Sequence, residues 1–185
     1  HPNSEYFTDA RNAINYYAAD PTRVVKADGL ASGKGVIVPN SFDEGRLAII
    51  NFMEKGLIGD SGRNIVIQNR IKGREVSAMA ITDGVTVVPM VESRDYKQLN
   101  GKNTGGMGAI SPLNDVSSKL SEKIFTKILQ PIVDLYKRLG IPYKGVLYAG
   151  VMVDENEDPF VIEFNCRFGD PETNVLMPKL NGDLY

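Results

Sequence analysis

At 185 residues and 20.3 kDa, with 42% hydrophobic and 24% charged residues, the chain is long enough to bury a sizeable core as one domain or two small ones. Its apolar residues come in short runs rather than one span of about 20, no signal peptide is visible, and a formal net charge of -2 gives no general basic field, so a membrane and nucleic acid are excluded as partners. The lone cysteine, Cys166, excludes an intrachain disulfide and a Cys-rich metal site and suits a reducing, cytoplasmic setting; the lone histidine, His1, removes Ser-His-Asp, Cys-His and His-metal chemistry.

In chain order, "YFTDARNAINYYAAD" predicts a helix: Phe7 precedes a Thr-Asp start signal, Ala10, Ile14 and Tyr17 fall near helical spacing, and Pro21 closes it. "RVVKA" predicts a short strand, "GLASGKG" a glycine loop and "GVIVP" a second strand, which places Gly33 to Gly35 at a hairpin tip. "SFDEGRLAIINFMEK" predicts a helix capped by Ser41, with Glu44 completing a capping box and Leu47 and Ile50 in period. "NIVIQ" is a buried-type strand, and "EVSAMAITDGVTVVPMV" a hairpin turning at Asp83-Gly84. "LNGKNTGGMGAISP" is a glycine-rich loop, and "SEKIFTKILQPIVDLYKRLG" a helix bent or interrupted at Pro131 and ended by Gly140. "GVLYAGVMVDENEDPFVIEFN" is a last hairpin, and Pro171 starts a final helix. Hairpins mixed with helices predict an α+β fold with a largely antiparallel sheet covered by helices on one face.

Chemistry concentrates in a few places. "ADGLASGKGVIVP" looks like a Walker phosphate loop but fails the test: Gly29 and Gly33 are too close, Gly35 follows Lys34 in place of Ser or Thr, and a strand follows in place of a helix. A flexible flap whose amides and Lys34 meet phosphate competes with a mobile hairpin tip carrying a solvated lysine. Lys26, among apolar residues at a strand end, needs an anion, either a ligand phosphate or an acid such as Asp28. "DENEDP" fails as a calcium loop because Pro159 stands where glycine is required, and so reads as a solvated turn.

"VIEFNCRFGDPET" is more informative. Strand alternation puts Glu163 and Asn165 on one side and Ile162, Phe164 and Cys166 on the other. One carboxylate and one amide are hard oxygen ligands suited to Mg²⁺ completed by water and nucleotide phosphates, against the plain reading of a strand's polar face. Arg167 is a clamp for carboxylate or phosphate, and Pro171, with Asp170 as cap, would open a helical turn whose free N–H groups could meet an anion.

The motifs "VVKADGLASGKGVIV", "NTGGMGAISP", "GVLYAGVMV" and "VIEFNCRFGDPET", in that order, resemble the ATP-grasp core of the glycinamide ribonucleotide synthetase (phosphoribosylamine-glycine ligase) family, from about Pro21 to the end. The resemblance implies two lobes of largely antiparallel sheet with covering helices and the nucleotide between them: a leading helix over 1–20, a small lobe with the flap over 21–72, and a larger lobe with the metal and substrate site over 73–185. It implies an ATP-dependent ligase of purine biosynthesis, in which ATP phosphorylates glycine and 5-phosphoribosylamine attacks the glycyl phosphate. ATP and Mg²⁺ or Mn²⁺ are then the cofactors. Lys26 would contact phosphate, Ser32, Gly33, Lys34 and Gly35 would form the flap, Gln68, Asn69 and Ile71 the adenine edge, and Glu75 would take the ribose hydroxyls. Glu163 and Asn165 would hold the metal. Arg167 and Lys97 would be the catalytic cations, while Asp95, Asn103, Thr104, Gly105, Gly106, Asp170, Pro171 and Glu172 would face glycine and phosphoribosylamine.

Departures from the family pattern are specific. "QNRI" at residues 68–71 stands where the family reads "EEFL", so an acid near adenine is absent and backbone contacts would carry that recognition. Gly150 occupies the place where many ATP-grasp enzymes supply a further metal carboxylate. "QLNGKNTGG" is about four residues shorter than the family loop before Gly101. The resemblance further implies missing N- and C-terminal domains of the same polypeptide, without which this core would make no product. Two alternatives stand: another ATP-grasp carboxylate-amine ligase, and a non-catalytic ATP-binding module.

Overall fold

The computed structural model describes residues 1–31, 34–96 and 107–182, with the backbone of residues 98–99 and 102–103. The elements are β1 (Ser4–Phe7), α1 (Ala10–Ala18), β2 (Val24–Ala27), β3 (Val36–Ile37), α2 (Phe42–Met53), β4 (Ile65–Gln68), β5 (Arg74–Thr82), β6 (Val87–Pro89), β7 (Arg94–Asp95), β8 (Gln98–Leu99), β9 (Lys102–Asn103), β10 (Ala109–Ile110), α3 (Ser118–Ile124), α4 (Gln130–Arg138), β11 (Gly145–Val153), β12 (Pro159–Asn165) and α5 (Glu172–Leu176). They form two units, Pro2–Ile71 and Lys72–Tyr185, the latter with His1. Every strand pairing among the described residues is antiparallel.

In the first unit a sheet of order β1-β4-β2-β3 carries α1 and α2 on one face. Val25, Ile65 and Ile67 point toward the helices and meet Ala13 and Tyr17 of α1 and Ala48, Ile49 and Phe52 of α2. The helices start where the sequence predicts. Asp9 accepts from the Asn12 amide at 2.8 Å and Ser41 from the Glu44 amide at 3.2 Å, while Glu44 reaches back to the Asn40 amide at 2.8 Å. The segment read as the lead-in to α1 is instead β1, which pairs with β4 from Ser4↔Gln68 to Phe7↔Ile65. Its alternation is too short to register against the helical signal that follows.

In the second unit the sheet order is β12-β11-β5-β6. Val76, Ala78 and Ala80 of β5 and Leu147, Ala149, Val151 and Val153 of β11 pack against Leu120 and Ile124 of α3 and Val133 of α4. Between these helices, and continuous with both, lies a π-helical turn, Phe125–Leu129, so the irregularity precedes Pro131, whose ring and missing N–H disturb the regular ladder of a helix interior. Gly140, at φ 76°, ends the helix. The Asp83-Gly84 hairpin forms with Thr82 paired to Val87, its loop held by the Asp83 carboxylate, which accepts from Val85 and Thr86 amides at 2.9 and 2.7 Å. Within the glycine-rich loop, β8 pairs with β9, and β10 returns to pair with β7.

Gly45 of α2 faces the buried Tyr17 ring, and a Cβ there would fall 2.1 Å from Tyr17 Cζ and Oη. Alanine normally stabilises a helix interior by about 1 kcal/mol over glycine. Here Tyr17 cannot retreat freely, because its hydroxyl donates to the Pro21 carbonyl at 2.6 Å and its ring stacks on Phe42 at 6.0 Å. Overpacking should therefore win: Gly45→Ala is expected to lower stability by about 1–3 kcal/mol, read as a lower urea midpoint at unchanged m-value. A midpoint at or above that of the parent chain would show that Tyr17 yields.

Candidate active site

The side of the second unit's sheet away from α3 and α4 is built by alternation. Met79, Tyr148 and Asn165 form one cross-strand row on it, and Ser77, Gly150 and Glu163 the next, with Glu75 one row further along β5. Glu163 and Asn165 thus share a face, as their spacing predicts. Phe164 points oppositely, in the row of Ala149. Ile162 does not follow it. Gly150 pairs with Glu163 but Val151 with Val161, so β12 carries a bulge that leaves Ile162 over, and Ile162 Cγ1 lies 3.5 Å from the position a Gly150 Cβ would take. Ile162 therefore leans to the Glu163 side, which correct strand alternation alone does not give.

Gly150 makes this arrangement possible. A Cβ at that position would approach Glu163 Cγ to 2.9 Å, so the strand opposite the carboxylate must be bare for the side chain to lie across it. Glu163 is exposed and Asn165 half-buried. One carboxylate and one amide oxygen on a shared, accessible face fit Mg²⁺ or Mn²⁺, which takes its remaining ligands from phosphate and water. Among the described residues no three His, Cys, Asp or Glu side chains gather as a metal cluster.

At the other end of this face α5 covers the sheet. Leu176 packs on Met79 and Tyr148, with Met90 and Phe168 against them. Glu172, only 2% exposed, accepts through Oε1 from the Tyr148 hydroxyl at 2.6 Å and from Ser77 Oγ at 3.1 Å. Burial, and then the hydrogen bond to Glu172, push the Tyr148 hydroxyl far above its ordinary pKa, so it stays a donor. Arg167 is exposed, its Nη1 donating to the Phe168 carbonyl at 2.9 Å, and Asp170 is exposed. The expected cap is corrected: Pro171, not Asp170, precedes the first helical residue, and no side chain caps α5. The first-turn amides are also engaged, Thr173 donating to the Gly169 carbonyl and Asn174 to that of Pro171.

Glu75 is held through its backbone. Its carbonyl accepts from Arg94 Nε at 2.7 Å, while Arg94 Nη2 reaches Asp115 Oδ2 at 2.7 Å. Arg74 Nε lies 3.3 Å from the same Asp115 oxygen, and Arg74 Nη2 pairs with Glu157. Ser77 and Ser93 exchange both backbone hydrogen bonds, at 2.8 and 3.1 Å, which sets the half-buried Asp95 of β7 beside this sheet opposite Ala109.

In the first unit, Lys26 stands in register with Val36 and Val66 on the face opposite α1 and α2. Gln68, on that same face, is buried. Asn69 is committed within the unit: its amide donates to the Asn3 carbonyl at 2.8 Å and its Oδ1 accepts from Arg23 Nε at 3.2 Å, with the guanidinium over the Tyr16 ring at 4.2 Å. Ile71 is half-buried at the end of the unit. Of the flap, the Gly35 carbonyl accepts from the Ala27 amide at 2.7 Å and the exposed Lys34 donates its amide to Ala31 at 2.9 Å. A Cβ on Gly35 would lie 2.7 Å from that of Ala31, so glycine is needed for the fold-back. Ser32, Gly33, Lys97, Thr104, Gly105 and Gly106, and the side chain of Asn103, lie outside the described residues.

Sequence reading missed Tyr148, Ser77, Arg94 and Asp115. Tyr148 and Ser77 carry a usable signal, since each stands one row from Gly150 or directly opposite it once the β5-β11-β12 register is drawn. Arg94 and Asp115 are distant in sequence and carry none. A cavity of about 400 Å³ in this unit is lined by Ala78, Met90, Phe125 and Leu129 among others, and none of the candidate residues borders it.

Residues 1–173 match the family described as phosphoribosylglycinamide synthetase, ATP-grasp (A) domain. The chain belongs to this family. The trifunctional purine biosynthetic protein adenosine-3 of Gallus gallus is 46% identical over 97% of this chain and 18% of its own length. The phosphoribosylamine–glycine ligase of Neisseria meningitidis serogroup B is 46% identical over 87% of this chain and 39% of its own. In three dimensions the phosphoribosylamine–glycine ligase of Thermotoga maritima superposes with a TM-score of 0.87 at 34% identity, over 96% of this chain and 46% of that one. The biotin carboxylase of Campylobacter jejuni, solved with β-γ-ATP, shares the fold at 19% identity, with a TM-score of 0.69 over 94% of this chain and 38% of its own. The fold is therefore ATP-grasp, and this domain spans less than half the length of the relatives described. Among the described residues no helix is long and apolar enough to cross a membrane.

The hydrogen bond from Arg94, opposed by partial burial and reinforced by the Arg94 and Arg74 charges, holds the Asp115 carboxyl below the usual carboxylate range. Because the folded pKa is depressed, this stabilisation is complete above the unfolded value, about 4, and disappears as pH falls through the folded value. In melts from pH 6 to pH 2.5, Asp115→Asn should lose stability relative to the parent chain at pH 6, with the difference shrinking toward the acid end. A difference independent of pH would show that the carboxylate contributes nothing through its charge.

Proposed function

We propose that this ATP-grasp domain is the nucleotide- and metal-binding core of a ligase that joins glycine to 5-phosphoribosylamine through a glycyl phosphate, with ATP and Mg²⁺ or Mn²⁺ as cofactors. The observation that carries the reading is the pairing of Glu163 with Asn165 on one open face opposite a bare Gly150, in a domain whose family is that of phosphoribosylglycinamide synthetase.

Phosphoryl transfer asks a protein chiefly to position reactants and neutralise charge, so lysine, arginine, backbone amides and oxygen ligands suffice. Lys26 supplies a cation to the nucleotide phosphates from the helix-free face of the first unit, and Lys34 with the glycine flap supplies amides and charge above them. Gln68 and the chain leading to Ile71 border adenine. With the Asn69 amide given to Asn3, the remaining backbone groups of that stretch carry the recognition. Glu75 meets the ribose hydroxyls. Glu163 and Asn165 hold the metal, which when bound neutralises phosphate charge. Arg167, with Lys97, steadies the carboxylate and its developing acyl phosphate, and Asp95, the Asn103–Gly106 segment and Asp170 orient the amine for attack. The flap shelters the acyl phosphate from water. Amide, ADP and phosphate are the products, made in the cytoplasm by the longer polypeptide to which such a domain belongs in its relatives.

Calorimetric titration of the chain with Mg-ATP should show one site, weakened about tenfold or more by Glu163→Ala and by Gly150→Ala, which crowds the same carboxylate. No binding by the parent chain, or equal binding by Glu163→Ala, would sink the proposal.

A further inference from the structure

We propose that Glu172, acting through Tyr148 and Ser77, is a positioning residue that fixes the Glu163–Asn165 metal face, and that it does not touch substrate. The inference rests on the metal assignment made above and adds a role for three side chains that face the same sheet surface.

A carboxyl group taken out of water must be compensated by hydrogen bonds or it destabilises the fold. Glu172 is 2% exposed, and its partners are two hydroxyls on neighbouring strands. Each hydroxyl carries one proton. Tyr148 gives its proton to Glu172 at 2.6 Å; Ser77 lies 3.1 Å from Glu172 Oε1 and 2.9 Å from the Tyr148 oxygen, so its proton closes the triangle. The bare Gly169 makes room for the other oxygen, since a Cβ there would fall 2.5 Å from Glu172 Oε2. At 2% exposure, with Oε1 already taken by two hydroxyls of the sheet, the carboxyl is turned toward the sheet rather than toward solvent.

What it does have is leverage on the metal face. Tyr148 stands directly opposite Asn165 and Ser77 in the row of Gly150 and Glu163. Cross-strand neighbours on one face have Cβ atoms about 5 Å apart, so the place of the Tyr148 ring limits the rotamers open to Asn165. The same carboxyl ties α5, and with it the Arg167–Asp170 stretch, to that surface. Partners one step behind metal ligands typically change metal affinity about 10- to 100-fold when removed.

The test is Mn²⁺ binding to the chain in the presence of ATP, followed by water-proton relaxation, together with thermal melts in the absence of metal. Tyr148→Phe removes a single hydroxyl and Glu172→Ala the carboxyl; each should weaken Mn²⁺ about tenfold, and together no more than the stronger single change, because they break one network. Glu172→Gln keeps an amide oxygen in the place of Oε1, where it can accept from both Tyr148 and Ser77, and should stay within about threefold of the parent chain. If Glu172→Ala fails to fold, Tyr148→Phe and Glu172→Gln still decide. Unchanged Mn²⁺ affinity in Tyr148→Phe, with or without a lower melting temperature, overturns the inference, as does a Glu172→Gln defect as large as that of Glu172→Ala. Glu163→Gln is the control: if it leaves Mn²⁺ affinity intact, the metal assignment itself is wrong and the inference falls with it. If it abolishes affinity while Tyr148→Phe does not, the inference alone is lost.

Discussion

The antiparallel ladder between β11 and β12, broken by one bulge opposite Gly150, is the constraint on which the candidate site depends. A regular ladder would keep strict alternation from Pro159 to Asn165 and turn the terminal residues to the faces opposite those they now occupy relative to Val161. The bulge absorbs Ile162, so Val161 can pack in the helix-covered core while Glu163 and Asn165 emerge on the other side. The glycine across from the bulge is the second half of the device. It concedes side-chain packing on β11 and in return lets a carboxylate lie over the strand. The site is thus carried by a rigid sheet rather than a loop, which suits a task consisting of holding charges in place.

Around that sheet the charges are arranged so that backbone, not only side chains, is fixed. Arg94 bridges the Glu75 carbonyl and the Asp115 carboxylate, and Arg74 links Asp115 to Glu157. Exposed ion pairs contribute little singly. Their use here is geometric: the start of β5, strand β7 and the loop before α3 are clamped at one point, next to the residues assigned to ribose and acceptor. Asp115 and Glu157 are 43% and 49% exposed, so the network can be screened by salt without loss of the core beneath it.

Much of this was legible in the sequence, for local reasons. Ser41 with Glu44, Asp83-Gly84 and Gly140 each act within a few residues, so their caps, turn and stop appear where the letters place them. The same is true of the Glu163–Asn165 pair, whose shared face follows from a period of two. What escaped reading is non-local. β1 is a strand only because β4 is there to pair with it, the π turn ahead of Pro131 depends on how α3 and α4 lie on β5 and β11, and the lean of Ile162 depends on a partner strand lacking a side chain. Asp170 as a cap failed because the chain closes its first turn through Thr173 on the Gly169 carbonyl instead.

Glu172 is the residue at which the further proposal departs most from the sequence reading, since "GDPET" invites the view that every polar group in it faces a ligand. Burial separates these polar neighbours: Asp170, two residues earlier, is exposed, while Glu172 is buried with two hydroxyls at its Oε1. Its Oε1 lies within reach of two hydroxyls of its own sheet, and a substrate that displaced either would leave a buried polar group unsatisfied, at a cost of about 1–3 kcal/mol. Binding energy spent in that way would be withdrawn from the reacting centre. On the proposed assignment, contact with reactants falls to the exposed Arg167 and Asp170, with Glu172 behind them. Under that proposal one short motif carries two layers of the site, the outer meeting reactants and the inner holding the outer still.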